Sequence, residues 1–158
     1  MIDYRRSMVE PDITPATDEE RDWVAELMAR SDPWVRLRAT PEQCRAACRD
    51  PEYLLYVARA NGVACGAIVL QRRGVAGSPY VKSIVVDQSH RGQRVGAALM
   101  EFAENLFRGE ARHIFLCVSS FNTRARAFYE RLGYHTAGEF NDYIIDGASE
   151  ILMHKRLL

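Results

Sequence analysis

The chain has 158 residues, with 21 lysines and arginines balanced by 21 aspartates and glutamates, so its formal net charge is zero. Apolar residues make up 47% and charged ones 27%, an ordinary globular composition. That balance excludes a nucleic-acid binder working by overall basic charge, and no run approaches the 18 apolar residues of a membrane span.

The length suits one domain, able to bury roughly 70% of its unfolded surface. The opening stretch, MIDYRRSMVEPDITPATDEER, has no apolar signal core and is too acidic for a transit peptide, so the cytoplasm is the expected compartment. Residues 1–11 read as a lead-in and 12–158 as the domain.

In chain order, Asp12 to Thr17 is a short strand. Thr17 then caps a helix whose first turn carries Asp18, Glu19 and Glu20 and whose stripe holds Trp23, Leu27 and Met28. Ser31-Asp32-Pro33 interrupts it, and Thr40-Pro41 starts a second short helix. Tyr53–Ala60 and Val63–Gln71 form a hairpin around Asn61-Gly62, a strong two-residue turn signal. A turn at Gly74–Ser78 leads into a strand over Tyr80–Val86. Val95, Leu99, Phe102 and Leu106 recur at helical spacing, which predicts an amphipathic helix from Arg94 to Arg108. Ile114, Leu116 and Val118 alternate as a strand. Ala125, Phe128, Tyr129 and Leu132 mark a helix from Asn122 to Leu132, stopped by Gly133. Strands around Tyr134–Phe140 and Glu150–Arg156 close the chain. The order β-α-α-β-β-β-α-β-α-β-β implies an α/β (α+β) domain with a mixed central sheet.

Cys44, Cys48, Cys65 and Cys117 lack the spacing or nearby histidines of a zinc site and read as small apolar residues in a reducing compartment; no metal is expected. His90, His113, His135 and His154 are scattered along the chain and read as surface or packing residues. The zero charge is uneven. Residues 1–70 carry nine basic and twelve acidic side chains, a net of −3, whereas residues 71–131 carry ten and five, a net of +5.

The basic part contains the most informative segment, Ile84-Val-Val-Asp-Gln-Ser-His-Arg-Gly-Gln-Arg-Val-Gly-Ala-Ala-Leu99. An apolar strand enters a polar loop that opens a helix. Bare N–H groups and the helix dipole make such a start an anion site, for which phosphate is the usual occupant. Gly92 and Gly96 allow close approach to the backbone, and Arg91 and Arg94 add charge. The dinucleotide pattern G-x-G-x-x-G is absent, as is the lysine of a mononucleotide loop. An ordinary strand-loop-helix turn accounts for the glycines equally well.

Arg91-Gly-Gln-Arg-Val-Gly-Ala97 resembles the acyl-CoA pyrophosphate loop [QR]-x-x-G-x-[GA] of the GNAT superfamily of N-acetyltransferases. Asn122-Thr-Arg-Ala-Arg-Ala-Phe-Tyr-Glu-Arg-Leu-Gly-Tyr134 resembles its second hallmark, N-x-x-A-x-x-x-Y-x-x-x-G-[FY]. The order and separation of the motifs fit, and the element order matches from about residue 12 to 157. One departure stands out: the first loop glycine is Arg94 here.

The resemblance implies a largely antiparallel sheet of about seven strands flanked by about four helices, and transfer of acetyl from acetyl-CoA to a primary amine by direct attack in a ternary complex. It places the cofactor arm along Ile84, Val85 and Val86, with N–H groups near Val85 and Val86 polarising the thioester carbonyl. The pyrophosphate falls on Arg91, Gly92, Gln93, Arg94, Val95, Gly96 and Ala97. Asn122 is a helix cap on its own terms and a cofactor contact by resemblance. Tyr129, on an apolar face, becomes the candidate general acid for the departing thiolate. The positions where relatives often carry a glutamate base hold Tyr80 and Cys117. Glu139, Asp142, Glu150 or a water chain can replace it, and the sequence does not choose. Trp34 falls where the family shapes its acceptor pocket, and a buried anchor accounts for it equally. The acceptor is a protein N-terminus, a lysine or a small-molecule amine, no nucleic acid or membrane partner is expected, and the closing strands leave room for a homodimer. The alternative is a different class of protein, a non-catalytic acyl-CoA-binding sensor or regulatory module, which the absent base supports and Tyr129 argues against.

Overall fold

Two threonines open the first two helices by the same device. The Thr17 hydroxyl accepts from the Glu20 N–H at 3.2 Å while Glu20 Oε1 accepts from the Thr17 N–H at 3.0 Å. Thr40 and Gln43 repeat the exchange at 3.1 and 2.9 Å. These reciprocal caps satisfy donors that a helix start otherwise leaves bare, and they set α1 at Asp18–Ala29 and α2 at Pro41–Arg49. The computed structural model describes residues 10–158, so most of the lead-in expected at 1–11 lies outside the described residues. Strand β1, Asp12–Pro15, precedes α1. The buried stripe of α1 is Val24, Ala25, Leu27 and Met28, with Trp23 half-buried beside it.

Strands β2 (Tyr53–Ala60), β3 (Val63–Val75) and β4 (Ser78–Val86) form a meander. Asn61 and Gly62 have φ of 52° and 79° between the paired residues Ala60 and Val63, the left-handed two-residue turn expected there. The second turn is tighter than Gly74–Ser78. Ala76 and Gly77, at φ 48° and 78°, join the paired residues Val75 and Ser78, so β3 runs past Gln71. An alanine in the left-handed position hid that turn from residue-type reasoning. The remaining elements are α3 (Val95–Phe107), β5 (His113–Ser119), α4 (Thr123–Arg131), β6 (His135–Phe140) and β7 (Glu150–Arg156).

The seven strands form one sheet in the order β1-β2-β3-β4-β5-β7-β6, antiparallel throughout except for β4 beside β5. With four helices, this is the architecture that the motifs imply. Helices α1 and α2 cover one face over Leu55, Val57, Ala67, Val69 and Val85. Helices α3 and α4 cover the other, over Ile68, Leu70, Val81, Ile114, Leu116 and Met153. Gly66 sets the seat of α3. A Cβ there would stand 3.0 Å from the Val85 carbonyl and from Val95 Cγ1, and 3.3 Å from Leu99 Cδ1.

Strand β4 carries an irregularity that bends the sheet. Val69 pairs with Ser83 and Leu70 with Val81, which leaves Lys82 as an extra, bulged residue in β4. Val81 and Val85, four apart, therefore face opposite sides of the sheet, where an unbroken strand would put them on the same side. A bulged strand bends. β4 contacts β5 only at Tyr80↔Phe115 and Val81↔Leu116, before the bulge. Beyond it the two parallel strands part.

Candidate active site

The parting opens a cleft of about 1640 Å³ whose floor is the divergent ends of β4 and β5. Just past the end of β4, the Asp87 N–H donates to the Cys65 carbonyl of β3 at 2.8 Å. Backbone groups alternate in direction along a strand, so Val85 also faces β3 while Ile84 and Val86 turn their N–H and C=O toward the gap. An extended ligand can add there as a strand. The Val86 carbonyl accepts a long bond from Arg91 Nε, 3.4 Å, which folds the Arg91 side chain over the cleft mouth.

Helix α3 starts at one end of the gap. Its first intrahelical bond beyond the cap runs from Ala98 N–H to the Arg94 carbonyl, so the N–H groups of Val95, Gly96 and Ala97 precede the ladder, and no side chain caps them. All three residues line the cleft. Gly92 has φ 75°, and Arg94 has φ 66° and ψ 16°. The loop thus needs a left-handed residue at Arg94, which explains why a glycine is the usual occupant and what the departure costs: a side chain held in a conformation that L-residues disfavour. Gly96 sits with Phe128 Cζ 3.4 Å and Val86 Cγ2 3.8 Å from the place of a Cβ, packing the helix start between β4 and α4. Gln93 is outside the cleft lining, its side chain turned back to the Ser89 carbonyl at 3.4 Å. Arg124 and Arg131 of α4 join Arg91 and Arg94 on the lining, two arginines that motif reading did not single out.

On α4, Asn122 Oδ1 accepts from the Ala125 N–H at 3.2 Å. The oxygen is committed to the cap, and the residue lines the cleft. Tyr129 is 7% exposed and lines the same cleft. Its ring packs against Phe128 at 5.3 Å and edge-on to Tyr134 at 6.1 Å, and burial pushes its phenol well above the ordinary range. The hydroxyl therefore stays protonated at working pH, as a proton donor must.

The far end is walled by two loops. Residues 30–39, between α1 and α2, contribute Asp32, Pro33, Trp34 and Leu37; residues 140–150 contribute Phe140, Tyr143, Ile144 and Glu150. The Arg36 guanidinium lies 4.1 Å over the Phe121 ring, tying the first loop to the turn before α4. Tyr80 and Cys117 face each other across the β4–β5 contact, and burial is the main cause that raises both. Cys44, Cys48 and Cys65 are free and buried, whereas Cys117 is half-buried in the cleft. Three of the histidines are less scattered than their spacing suggests. His154 pairs with His135 across β6–β7, and its Nδ1 lies 3.3 Å from His113 Nδ1 beside Phe115.

A sheet opened between two parallel strands beside an uncapped helix start is the fold of structurally characterised acetyltransferases. The ribosomal-protein-S18-alanine N-acetyltransferase of Escherichia coli superimposes with a TM-score of 0.75 at 20% identity, over 93% of this chain and 94% of that one. An aminoglycoside 6'-N-acetyltransferase complexed with coenzyme A gives 0.73 at 18% identity, over 93% and 97%. A nourseothricin acetyltransferase is 30% identical over 69% of this chain and 68% of its own, with a TM-score of 0.62. An uncharacterized N-acetyltransferase of Methanocaldococcus jannaschii is 34% identical over 103 residues, and the chain spans 65% of that relative's length. The sequence pattern of the acetyltransferase (GNAT) family matches residues 16–134, and the chain belongs to that family.

Proposed function

We propose that the protein is an N-acetyltransferase that moves the acetyl group of acetyl-CoA to a primary amine by direct attack, with both substrates in the cleft together. The observation that carries this reading is the juxtaposition of the uncapped α3 start with the opened edge of β4. The residues there suit this cofactor. The N–H groups of Val95, Gly96 and Ala97, with Arg91, Gly92 and Arg94, suit a pyrophosphate, whereas Gln93 is turned back to Ser89; the gap-facing backbone of Ile84 and Val86, flanking Val85, suits an amide-bearing arm. Asn122 adds an amide donor and Tyr129 the proton for the leaving thiolate. Bound acetyl-CoA supplies a thioester carbonyl open to attack; the chain orients it and controls the protons around it.

The acceptor class, an amine, draws support from the named activities of the relatives, and the wall of Trp34, Tyr143 and Phe140 supports an acceptor side at the end of the cleft remote from α3. We place the protein in the cytoplasm as a single domain over 12–158, with a homodimer through the closing strands; among the described residues no helix is long and apolar enough to cross a membrane. The test is calorimetric titration with acetyl-CoA, paired with thiol release across spermidine, an aminoglycoside, a streptothricin, free lysine and peptides with free N-termini. Release with at least one amine is expected. The second reading, a non-catalytic acyl-CoA sensor, draws on the lack of a carboxylate at Tyr80 and Cys117, and binding without release on any amine would select it. Absence of binding would refute both.

A further inference from the structure

Resting on the acetyltransferase reading, we propose that Glu150, at the head of β7, is the general base that takes a proton from the acceptor ammonium in the cleft. Three carboxylates lie in the closing strands and their loop, and their placement separates them. Glu139 pairs with Ile151, whose side chain is in the α3–α4 core, so Glu139 belongs to the face away from the acceptor loops, and it is exposed. Asp142 is exposed and holds its own loop, accepting from the Gly147 N–H at 2.7 Å. Glu150 is 7% exposed and lines the cleft.

Its surroundings are those of a functional carboxylate rather than a structural one. A buried structural carboxylate is normally paired with a cation, because an unpaired buried charge is costly. Glu104 on α3 shows that arrangement, with Lys155 Nζ at 2.6 Å. No salt bridge among the described residues involves Glu150. Its cross-strand partner is Ser119, 3% exposed, whose buried hydroxyl lines the cleft and has no hydrogen-bond partner apart from the Glu150 carboxyl itself. Two buried polar side chains thus point at the same open space. The groups facing them are Tyr80 from β4, Cys117 from β5 and Tyr143 from the loop, none of them cationic. Burial raises the Glu150 carboxyl above the usual carboxylate range, with the hydrogen bond from the Ser119 hydroxyl pulling the other way. That direction brings a carboxylate nearer the pH at which it must accept and return a proton.

The protons balance. Of the three on the ammonium, one passes to Glu150 and on to solvent, freeing the lone pair. The C–N bond then forms as the thioester C–S bond breaks. A second proton ends on the departing thiolate, given by Tyr129 and restored to it from the nitrogen through solvent. The third stays on the amide.

The test compares wild type, Glu150→Gln and Glu150→Asp on the amine that gives release, with acetyl-CoA titrated calorimetrically into each. Glu150→Gln should bind acetyl-CoA as wild type does, lose about 100-fold in kcat/KM and lose the acidic limb of its pH profile, whereas Glu150→Asp keeps that limb. An unchanged rate and limb in Glu150→Gln, with binding intact, overturns the assignment and leaves the acetyltransferase reading standing. A wild type that binds no acetyl-CoA, or releases no thiol with any amine, overturns both. Should Glu150→Gln fail to fold, carbon NMR of labelled glutamate decides the matter. The resonance missing from Glu150→Asp should titrate above the ordinary carboxylate range in wild type, and a resonance within that range refutes the role.

Discussion

Arg94 is where the loop departs from the family pattern, and its φ of 66° makes the departure measurable. Two substitutions separate the two things the residue does. Arg94→Ala removes the charge and keeps a side chain in the left-handed region; Arg94→Gly removes the charge and relieves the conformation. At a left-handed position, glycine is favoured over alanine by about 1 kcal/mol. For a chain of this size that is about 2–4 °C in melting temperature, with Arg94→Gly the higher. The lost charge acts on binding instead. A charged contact at a helix start contributes about 0.3–1 kcal/mol when exposed, which Arg94 is, so both variants should bind acetyl-CoA roughly two- to fivefold more weakly. That loss should shrink as salt is raised, since exposed charges are screened within about 10 Å at 0.1 M. Thermal melts of the free protein and calorimetry at low and high salt give both quantities. If Arg94→Gly melts no higher than Arg94→Ala, the left-handed conformation is not held in solution. If both variants match wild-type affinity at every salt concentration, Arg94 makes no phosphate contact.

Tyr129→Phe should lower turnover by about 100-fold while acetyl-CoA affinity, read by calorimetry, changes little; unchanged turnover removes the proton-donor role. Gly66→Ala should destabilise the fold by about 1–3 kcal/mol, because the new Cβ meets the Val85 carbonyl, a backbone atom that cannot swing aside; thermal melting checks it. Glu20 carries a pH signature. Burial raises its carboxyl, but its bonds to the Thr17 N–H, to Arg59 and to the Thr17 hydroxyl outweigh burial and hold it below the usual range. A depressed native pKa adds stability above the unfolded value, near pH 4.3, that is lost as pH falls through the lower native value. Glu20→Gln should therefore be less stable than wild type at neutral pH and converge on it in acid, as urea midpoints at several pH values would reveal.

How much of the molecule was legible in the amino-acid sequence depends on how far each signal reaches along the chain. The caps at Thr17, Thr40 and Asn122 are local, made within three residues, and residue type alone locates them. The Asn61-Gly62 hairpin and the apolar periodicity of α3 are local in the same sense. The bulge at Lys82 is not local. It exists because β4 must pair with β3 and still bend away from β5, and no residue in Tyr80–Val86 announces it. Without the bulge, Val85 and Val86 look equivalent; with the ladder fixed by Asp87 and Cys65, Val86 faces the gap and Val85 does not. The same limit hid Glu150. In sequence it is one of three carboxylates near the end of the chain. Only the register Ser119↔Glu150, set by strands about thirty residues apart, turns it into the cleft, where no salt bridge among the described residues holds it.

The neutral total charge resolves along this geometry. Arg91, Arg94, Arg124 and Arg131 on the cleft lining all come from the +5 segment, and they gather where α3 begins and α4 runs beside it. Among the described residues, the acids of the N-terminal part do not form a matching lining. Asp18, Glu19, Asp22 and Glu26 are exposed on α1, Asp22 is paired with Arg49, and Glu20 is paired with Arg59. Of those early acids only Asp32 reaches the cleft. Two carboxylates from distant parts of the chain line the far end, Asp32 in the loop after α1 and Glu150 at the head of β7, and Arg30 and Arg38 line it with them. Asp87, the other acid on the lining, sits on the α3 side of the cleft and bonds Ser89 and His90. The α3 end of the cleft is thus predominantly basic, whereas the far end carries both signs. The polarity lies across the cleft, more than between the two halves of the sequence.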